Sequence, residues 1–272
     1  MMNILVTLNA NYLPPLKVLL HSLFCNNKNE SFSIYLLYSD IPDQDIKTLE
    51  QYIFSKGHRF TPIFVDSKWF QDAPVFRHYT SEMYYRLAAY QFLPEDVDRI
   101  LYLDPDIVCI NPITDFYWTD FENCLFVAAE HEHSAKMARA INKLRLRTPN
   151  AKGYFNTGVL LMNMASIRKE VNIEEIYQFI EKNKLKLVLP DQDVLNALYW
   201  DKIKPTDSLK YNYDARYYEL SKLIPKRKHT IDWIRRNTVL IHYCGKDKPW
   251  HKQYKNELKC FYDQYKEMNI SE

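Results

Sequence analysis

The chain has 272 residues, 47% of them hydrophobic, which allows one large domain with a sizeable buried core and excludes a disordered chain. Only 4 glycines stand against 13 prolines, which excludes a glycine-rich phosphate loop and a flexible low-complexity linker. The net charge of +2 is unevenly spread: Lys222 to Lys259 holds eleven Lys or Arg against Asp232, Asp247 and Glu257, an excess of +8 that leaves about −6 for the rest.

Strands and helices alternate from the start. Asn3 to Leu8 (NILVTL) reads as a strand that ends in the polar turn Asn9-Ala10-Asn11, and Pro14 and Pro15 then open a helix with Leu16, Leu19, Leu20 and Leu23 at helical spacing. Phe32 to Tyr38 is a second strand, Pro42 to Lys56 a second helix, and Arg59 to Val65 a third strand in which Pro62 requires an edge or a strand start. Ser81 to Leu93 reads as a helix apolar almost all round. Arg99 to Leu103 (RILYL) is a strand without a polar face, as burial on both sides demands. Leu125 to Ala129, Gly158 to Met162 and Val239 to His242 read as further strands, before a final helix from about Lys252 to Glu267.

No break in composition marks a second domain, so a single domain over 1–272 with a basic portion at about 222–272 is expected. The alternation implies an α/β fold with a mostly parallel, Rossmann-like sheet, whose ligands bind beyond the carboxyl ends of the strands. The polar residues that follow the apolar runs are Asn9 and Asn11, Asp104 and Asp106, Asn163, and His242. The opening MMNILVTLNA has no basic leader followed by an apolar stretch, and no apolar run approaches the roughly 20 residues of a membrane span. Five widely spaced cysteines without a CxxC pair suit reduced thiols in a cytoplasm.

Asp104-Pro105-Asp106 stands between two apolar runs, where an unpaired carboxylate pair is costly. Side chains at i and i+2 of an extended chain point the same way and can share one Mg or Mn ion, although Asp and Pro are also ordinary turn residues. Arg86 is the one charge between Met83 and Leu93, so it needs a carboxylate or a diphosphate as partner, unless its stem carries the charge out to solvent. Asp191 and Gln192 fall where a helix begins, either as acidic first-turn residues or as the floor of a pocket. Asn156 opens the strand-like run FNTGVLLMN and could hold sugar hydroxyls or cap a turn. In HYCGKDKPW, His242 can complete a carboxylate metal site, Gly245 lets backbone approach a phosphate, and Lys248 can offset diphosphate charge.

Together these segments resemble glycosyltransferase family 8, the retaining transferases that include lipopolysaccharide galactosyl- and glucosyltransferases and, more distantly, glycogenin. The likeness is collinear over almost the whole chain: Asn11-Tyr12, Tyr84-x-Arg86-Leu87, LYLDPDIV, FNTGVLLMN, PDQDVLN and HYCGKDKPW. It implies a glycosyltransferase A type fold, a Rossmann-like mixed sheet flanked by helices, that holds a UDP-sugar with Mn2+ or Mg2+. By the resemblance Asp104, Asp106 and His242 bind the metal, Tyr12 stacks on the base, and Asn11 and Asp104 reach the ribose. Arg86, Asn156, Asp191 and Gln192 surround the donor sugar, with Gln192 near the anomeric carbon, and Gly245 and Lys248 hold the diphosphate. Asn9 stands where the family often has an acidic residue that contacts the uracil, and an amide can still satisfy a base edge.

The expected activity is transfer of glucose or galactose from UDP-glucose or UDP-galactose to a carbohydrate, glycolipid or glycoprotein acceptor, by a metal-dependent hexosyltransferase that retains configuration and binds no nucleic acid. The alternative is a non-catalytic nucleotide-sugar binder. A glycoside hydrolase would need carboxylates about 5–10 Å apart across the scissile bond and no diphosphate clamp. Neither His131 to Asn150 nor Tyr211 to His229 carries a legible acceptor motif. Lys226-Arg227-Lys228 and Arg235-Arg236, interleaved with Trp233, suit either an anionic bilayer or a charge-balanced solvated face. The expected location is cytoplasmic, with room for a peripheral position at the inner face of the membrane.

Overall fold

The structure, a computed structural model, describes residues 1–66, 82–130, 136–222 and 229–271. Its ten strands are β1 (Met2–Thr7), β2 (Phe32–Tyr38), β3 (Arg59–Phe64), β4 (Arg99–Leu103), β5 (Ile107–Cys109), β6 (Phe126–Glu130), β7 (Phe155–Asn163), β8 (Ile203–Thr206), β9 (Tyr213–Asp214) and β10 (Leu240–His242). Among the described residues, seven form one sheet in the order β3-β2-β1-β4-β7-β6-β8, and three form a smaller sheet in the order β5-β10-β9.

The central strands of the main sheet are buried on both faces, which is why β4 lacks a polar face, while the end strands β3 and β8 are partly exposed. Met2, Ile4 and Val6 of β1 pack under the helix Leu13–Asn26, together with Leu49 and Ile53 of the helix Asp43–Ser55. Leu5, between them, faces the other side with Tyr35, Leu37 and Tyr102. Pro62 sits opposite Leu36 on β3, an end strand of the sheet, where its missing N–H costs no ladder bond.

Most strand pairs are parallel, but β7 runs antiparallel to both β4 and β6. That direction corrects the expectation for Asn163. Asn163 pairs with Arg99 at the start of β4, and its side chain accepts from Ser166 N at the head of the helix Met164–Glu170. The opposite end of β7 reaches the crevice instead, where Asp104 N donates to Gly158 O at 2.8 Å.

The strand expected at Val239 to His242 belongs to the small sheet. It pairs antiparallel with β5, His242 opposite Ile107, and parallel with β9, His242 opposite Asp214. Because β5 follows the Asp104-Pro105-Asp106 turn directly, this register carries His242 alongside Asp106, whose carbonyl accepts from Tyr243 N at 3.0 Å. Val108, Ile241, Tyr213 and Tyr243 then form a third core with Phe261, Tyr262 and Tyr265 of the terminal helix.

Two helices differ from expectation. Instead of one helix over Ser81 to Leu93, the described part is a short helix, Glu82–Tyr85, then a turn at Arg86 and a 3-10 turn, Ala89–Gln91. Leu87 N and Ala88 N bond three residues back, to Tyr84 O and Tyr85 O, because a run buried on every side follows its surroundings rather than a helical stripe. The terminal helix is Lys259–Ser271, not Lys252 onward, since Asn256 turns the chain by accepting from Leu258 N and donating to Ala215 O. No helix among the described residues is long and apolar enough to cross a membrane.

The burial pattern yields a contrast that denaturant unfolding can measure. Leu101→Ala, at a fully buried position of β4 between β1 and β7, is expected to cost about 2–5 kcal/mol. Phe64→Ala, on the exposed rim of β3, is expected to stay within about 0.5 kcal/mol of the parent.

Candidate functional site

The carboxyl ends of β1 and β4, the start of β7 and the end of β10 meet at one crevice, and the chemistry-bearing side chains gather there. Asp104, Asp106 and His242 offer ligand atoms that all lie within 4.8 Å of one another. His242 Nε2 stands 3.3 Å from Asp106 Oδ1 and 3.7 Å from Asp104 Oδ2. Its Nδ1 meets Asn212 Oδ1 at 2.9 Å, which fixes the ring so that Nε2 faces the carboxylates. Two carboxylate oxygens and one imidazole nitrogen suit a divalent ion such as Mn2+ or Mg2+, so the residues present fit one.

Gly158 makes that convergence possible. A Cβ there would stand 2.3 Å from His242 Cε1 and 2.5 Å from Asp104 Oδ2, closer than real Cβ atoms come to anything. The cradle is therefore closed to every other residue.

Charge in the crevice is paired closely. Lys248 Nζ bonds Asp106 Oδ2 and donates to Tyr243 O at 2.9 Å. Burial pushes the Asp106 carboxyl up, but Lys248 and His242 outweigh it and hold the group below the usual carboxylate range. Burial likewise pushes the His242 imidazole down, while Cys244 and Asp106 outweigh it and hold the group well above its ordinary value. Of those two, Asp106 is the charged partner at neutral pH, because burial raises the Cys244 thiol.

Arg86 finds the carboxylate partner that its burial required. Its Nη2 pairs with Asp104 Oδ1 at 2.9 Å, Nη1 stands 3.4 Å from Asp191 Oδ2 and donates to Thr157 O at 3.0 Å, and its guanidinium lies 4.2 Å from the Tyr102 ring centroid. The Tyr102 hydroxyl donates to the same Asp104 oxygen at 2.6 Å. Asp191, raised by burial and lowered in part by Arg86, accepts from Thr157 Oγ1 at 2.8 Å.

Asp191 and Gln192 lie in the first turn of the helix Pro190–Leu198, and neither caps it. Asp193 reaches back to that end: its Oδ2 accepts from Val188 N at 2.7 Å and Leu189 N at 3.2 Å. Its two oxygens also take both Arg145 terminal nitrogens at 2.6 Å, and Oδ1 takes the Tyr154 hydroxyl at 2.6 Å. This clamp, centred on the fully buried Asp193, fixes the turn that carries Asp191 and Gln192. Gln192 Oε1 accepts from Asn156 Nδ2 at 3.2 Å, whereas its buried Nε2 has no partner in bonding geometry, although the Tyr154 hydroxyl lies close. Asn156 Oδ1 accepts from Gly158 N and from Asn212 Nδ2, both at 2.9 Å, so one amide ties the turn to the His242 support.

The first loop lies beside this cluster. Asn9 Oδ1 accepts from Asn11 N at 3.1 Å and so caps the 3-10 turn Ala10–Tyr12. Asn11 is exposed, and the Tyr12 ring stands edge-on to Trp250 at 6.0 Å. Burial raises the Tyr12 hydroxyl, opposed by Lys248 and reinforced by the charges of Asp106 and Asp104. Gly245 has φ +93, a left-handed conformation that requires glycine there irrespective of space.

Sequence reasoning missed Gly158 as a site residue, and also Asn212, Thr157, Tyr102, Asp193 and Arg145. The FNTG turn offered a signal for Gly158, since a glycine beside amides at a strand start marks close backbone approach. Asn212, in SLKYNYD, carried none. The Lys226-Arg227-Lys228 triplet lies outside the described residues, as do His131 and its neighbours to 135. Within the rest of the basic segment, the Arg235 guanidinium lies 4.9 Å from the Phe261 centroid and Trp233 stacks on His229 at 4.2 Å, so part of it serves packing.

The fold is that of solved transferases. It superimposes on the galactosyltransferase LgtC, crystallised with donor and acceptor sugar analogs, with a TM-score of 0.82 at 23% identity over 98% of this chain and 96% of that one. This is the glycosyltransferase A type fold, a Rossmann-like mixed sheet flanked by helices. Residues 3–254 match Glycosyl transferase family 8, and the chain belongs to that family. A lipopolysaccharide 1,2-glucosyltransferase of Escherichia coli (strain K12) is 28% identical over 92% of this chain and 73% of its own length. General stress protein A of Bacillus subtilis is 27% identical over 97% and 92%, and a lipopolysaccharide 1,3-galactosyltransferase of Salmonella typhimurium is 25% identical over 92% and 73%.

The Gly158 cradle gives a direct test. Gly158→Ala is expected to weaken Mn2+ binding by about 10–100-fold, because Asp104 and His242 must part to admit the methyl group. Calorimetric titration of Mn2+ reads the loss, and unchanged affinity in a folded variant would show that the three ligands do not act together.

Proposed function

We propose that this glycosyltransferase moves a hexose, glucose or galactose, from a UDP-sugar to a glycan, glycolipid or protein-linked acceptor, with retention of configuration. The observation that carries the reading is the convergence of Asp104, Asp106 and His242 beside Lys248 and Arg86, at the end of the crevice where Tyr12 lies. A divalent ion, Mn2+ or Mg2+, held by Asp104, Asp106 and His242 would supply positive charge against the departing diphosphate.

The chain's own residues divide the remaining work. Tyr12 offers a ring face to the base, with Asn9 at its edge and Asn11 at the ribose. Lys248, already at the acidic pair, and the Gly245 backbone receive the diphosphate. Arg86 holds Asp104 and Asp191 in place and, with Asn156, Asp191 and Gln192, bounds the donor sugar.

Retention fits the state of the carboxylates. Asp191 is engaged by Arg86 and Thr157, Asp193 has no exposed surface and five bonds to its oxygens, and Gln192 is a neutral amide. No carboxylate among these is free to attack the anomeric carbon, which favours transfer on the face of the leaving phosphate, with Gln192 steadying the cationic sugar. A non-catalytic sugar-nucleotide binder would share the ligand triad for UDP affinity but would release no UDP from a UDP-sugar.

The reading extends to the whole chain as a single transferase domain, to a cytoplasmic location and to peripheral contact with an anionic membrane. Four of the relatives' names contain lipopolysaccharide, a similarity that supports a glycolipid among these acceptors.

A screen of UDP-glucose, UDP-galactose and their N-acetylated forms with Mn2+, read as UDP release, tests the proposal. One hexose donor is expected to dominate. Asp106→Asn is expected to fall below about a hundredth of the parent rate with its far-UV circular dichroism unchanged. Parent-level turnover of that folded variant in chelator would remove the metal from the account.

A further inference from the structure

We infer that the face formed by Ile141, Leu144, Leu185 and Val188 docks the enzyme on an anionic lipid bilayer. These aliphatic side chains are 56%, 82%, 91% and 64% exposed, in a protein whose other apolar residues are largely buried. Single exposed leucines are unremarkable, but two touching segments here carry four exposed aliphatic side chains between them.

The two segments are held together by the Asp193 clamp. Ile141 and Leu144 lie three residues apart on the helix Lys136–Leu146 and so share a face. Arg145, next to Leu144, donates to Lys186 O at 3.2 Å, one residue past Leu185, while pairing with Asp193. Asp193 in turn accepts from Val188 N. The patch is therefore rigidly tied to the turn that carries Asp191 and Gln192, two residues from the proposed donor-sugar contacts.

Charge beside these residues is predominantly basic. From Ala140 to Lys152 there are Lys143, Arg145, Arg147 and Lys152 and no acidic residue. Lys182, Lys184 and Lys186 flank Leu185 and are exposed, against Glu181, which is paired to Lys184 at 2.6 Å. Protein interfaces favour aromatic residues and arginine and are depleted of lysine, the reverse of this composition. Aliphatic side chains ringed by lysines are instead the pattern of a surface that seats in the headgroup region of an anionic membrane.

The inference deepens the proposed function and rests on its glycolipid acceptor, since docking on a bilayer would bring the enzyme to a membrane-borne sugar. It is independent of the basic segment at 222–259.

Co-sedimentation of the full chain with vesicles of phosphatidylcholine, with and without phosphatidylglycerol, tests it. Binding is expected with the anionic vesicles alone and is expected to weaken with salt, as screening shortens. Leu144→Glu with Leu185→Glu is expected to lose at least about tenfold in vesicle affinity while UDP-sugar hydrolysis without lipid is unchanged. Arg235→Gln with Arg236→Gln is expected to keep most of the binding. No binding by the parent, equal binding by the Leu144 and Leu185 variant, or a parent dimer that this variant dissolves would each overturn the inference. Loss of hydrolysis in the parent itself would instead count against the proposed function.

Discussion

Three carboxylates, Asp104, Asp106 and Asp191, are confined to one crevice with Arg86, Lys248 and His242, and burial makes their balance strict. Two unit charges 4 Å apart interact by about 4 kcal/mol at an effective dielectric of 20, so no member can be left unmatched. Arg86 meets Asp104 and Asp191, and Lys248 meets Asp106, which leaves one negative charge to the pair that faces His242. Burial lowers the His242 imidazole, but Cys244 and Asp106 outweigh it and hold the group well above its ordinary value, so the ring favours positive charge beside that pair. A divalent cation held by Asp104, Asp106 and His242 would turn the crevice net positive, the sign that a diphosphate requires.

The fold exists in the form that this balance needs. Asp104 ends β4 and Asp106 precedes β5, so one short turn feeds two sheets. The small sheet returns His242 to that turn through the register of β10 on β5, and the reversed direction of β7 brings Gly158 under it. Removing Arg86 would leave buried carboxylates uncompensated, a cost of about 3–5 kcal/mol that reflects the unpaired charge rather than a net gain from the ion pairs.

Much of this was legible in the sequence, for a local reason. Arg86 in an apolar run, and Asp104 and Asp106 between apolar runs, are polar groups that burial forbids unless partnered, and adjacency along the chain exposes the conflict. Strand direction left no such mark: the composition of β7 is the same read either way, and Asn163 was assigned to the wrong end. Gly158, Asn212 and the Arg145 to Asp193 pair matter through neighbours 30 to 84 residues away in sequence, and a sequence without its relatives gives no register for such meetings. The expected helix over Ser81 to Leu93 was lost for a related reason, because a segment apolar on every side has no stripe to set its period.

The metal-centred balance is tested most directly by calorimetric titration of UDP and of uridine, each with Mn2+ and with chelator. The account predicts that chelator weakens UDP by more than about tenfold and leaves uridine nearly unchanged, since only the diphosphate meets the inverted charge. UDP binding of equal strength in chelator would contradict it.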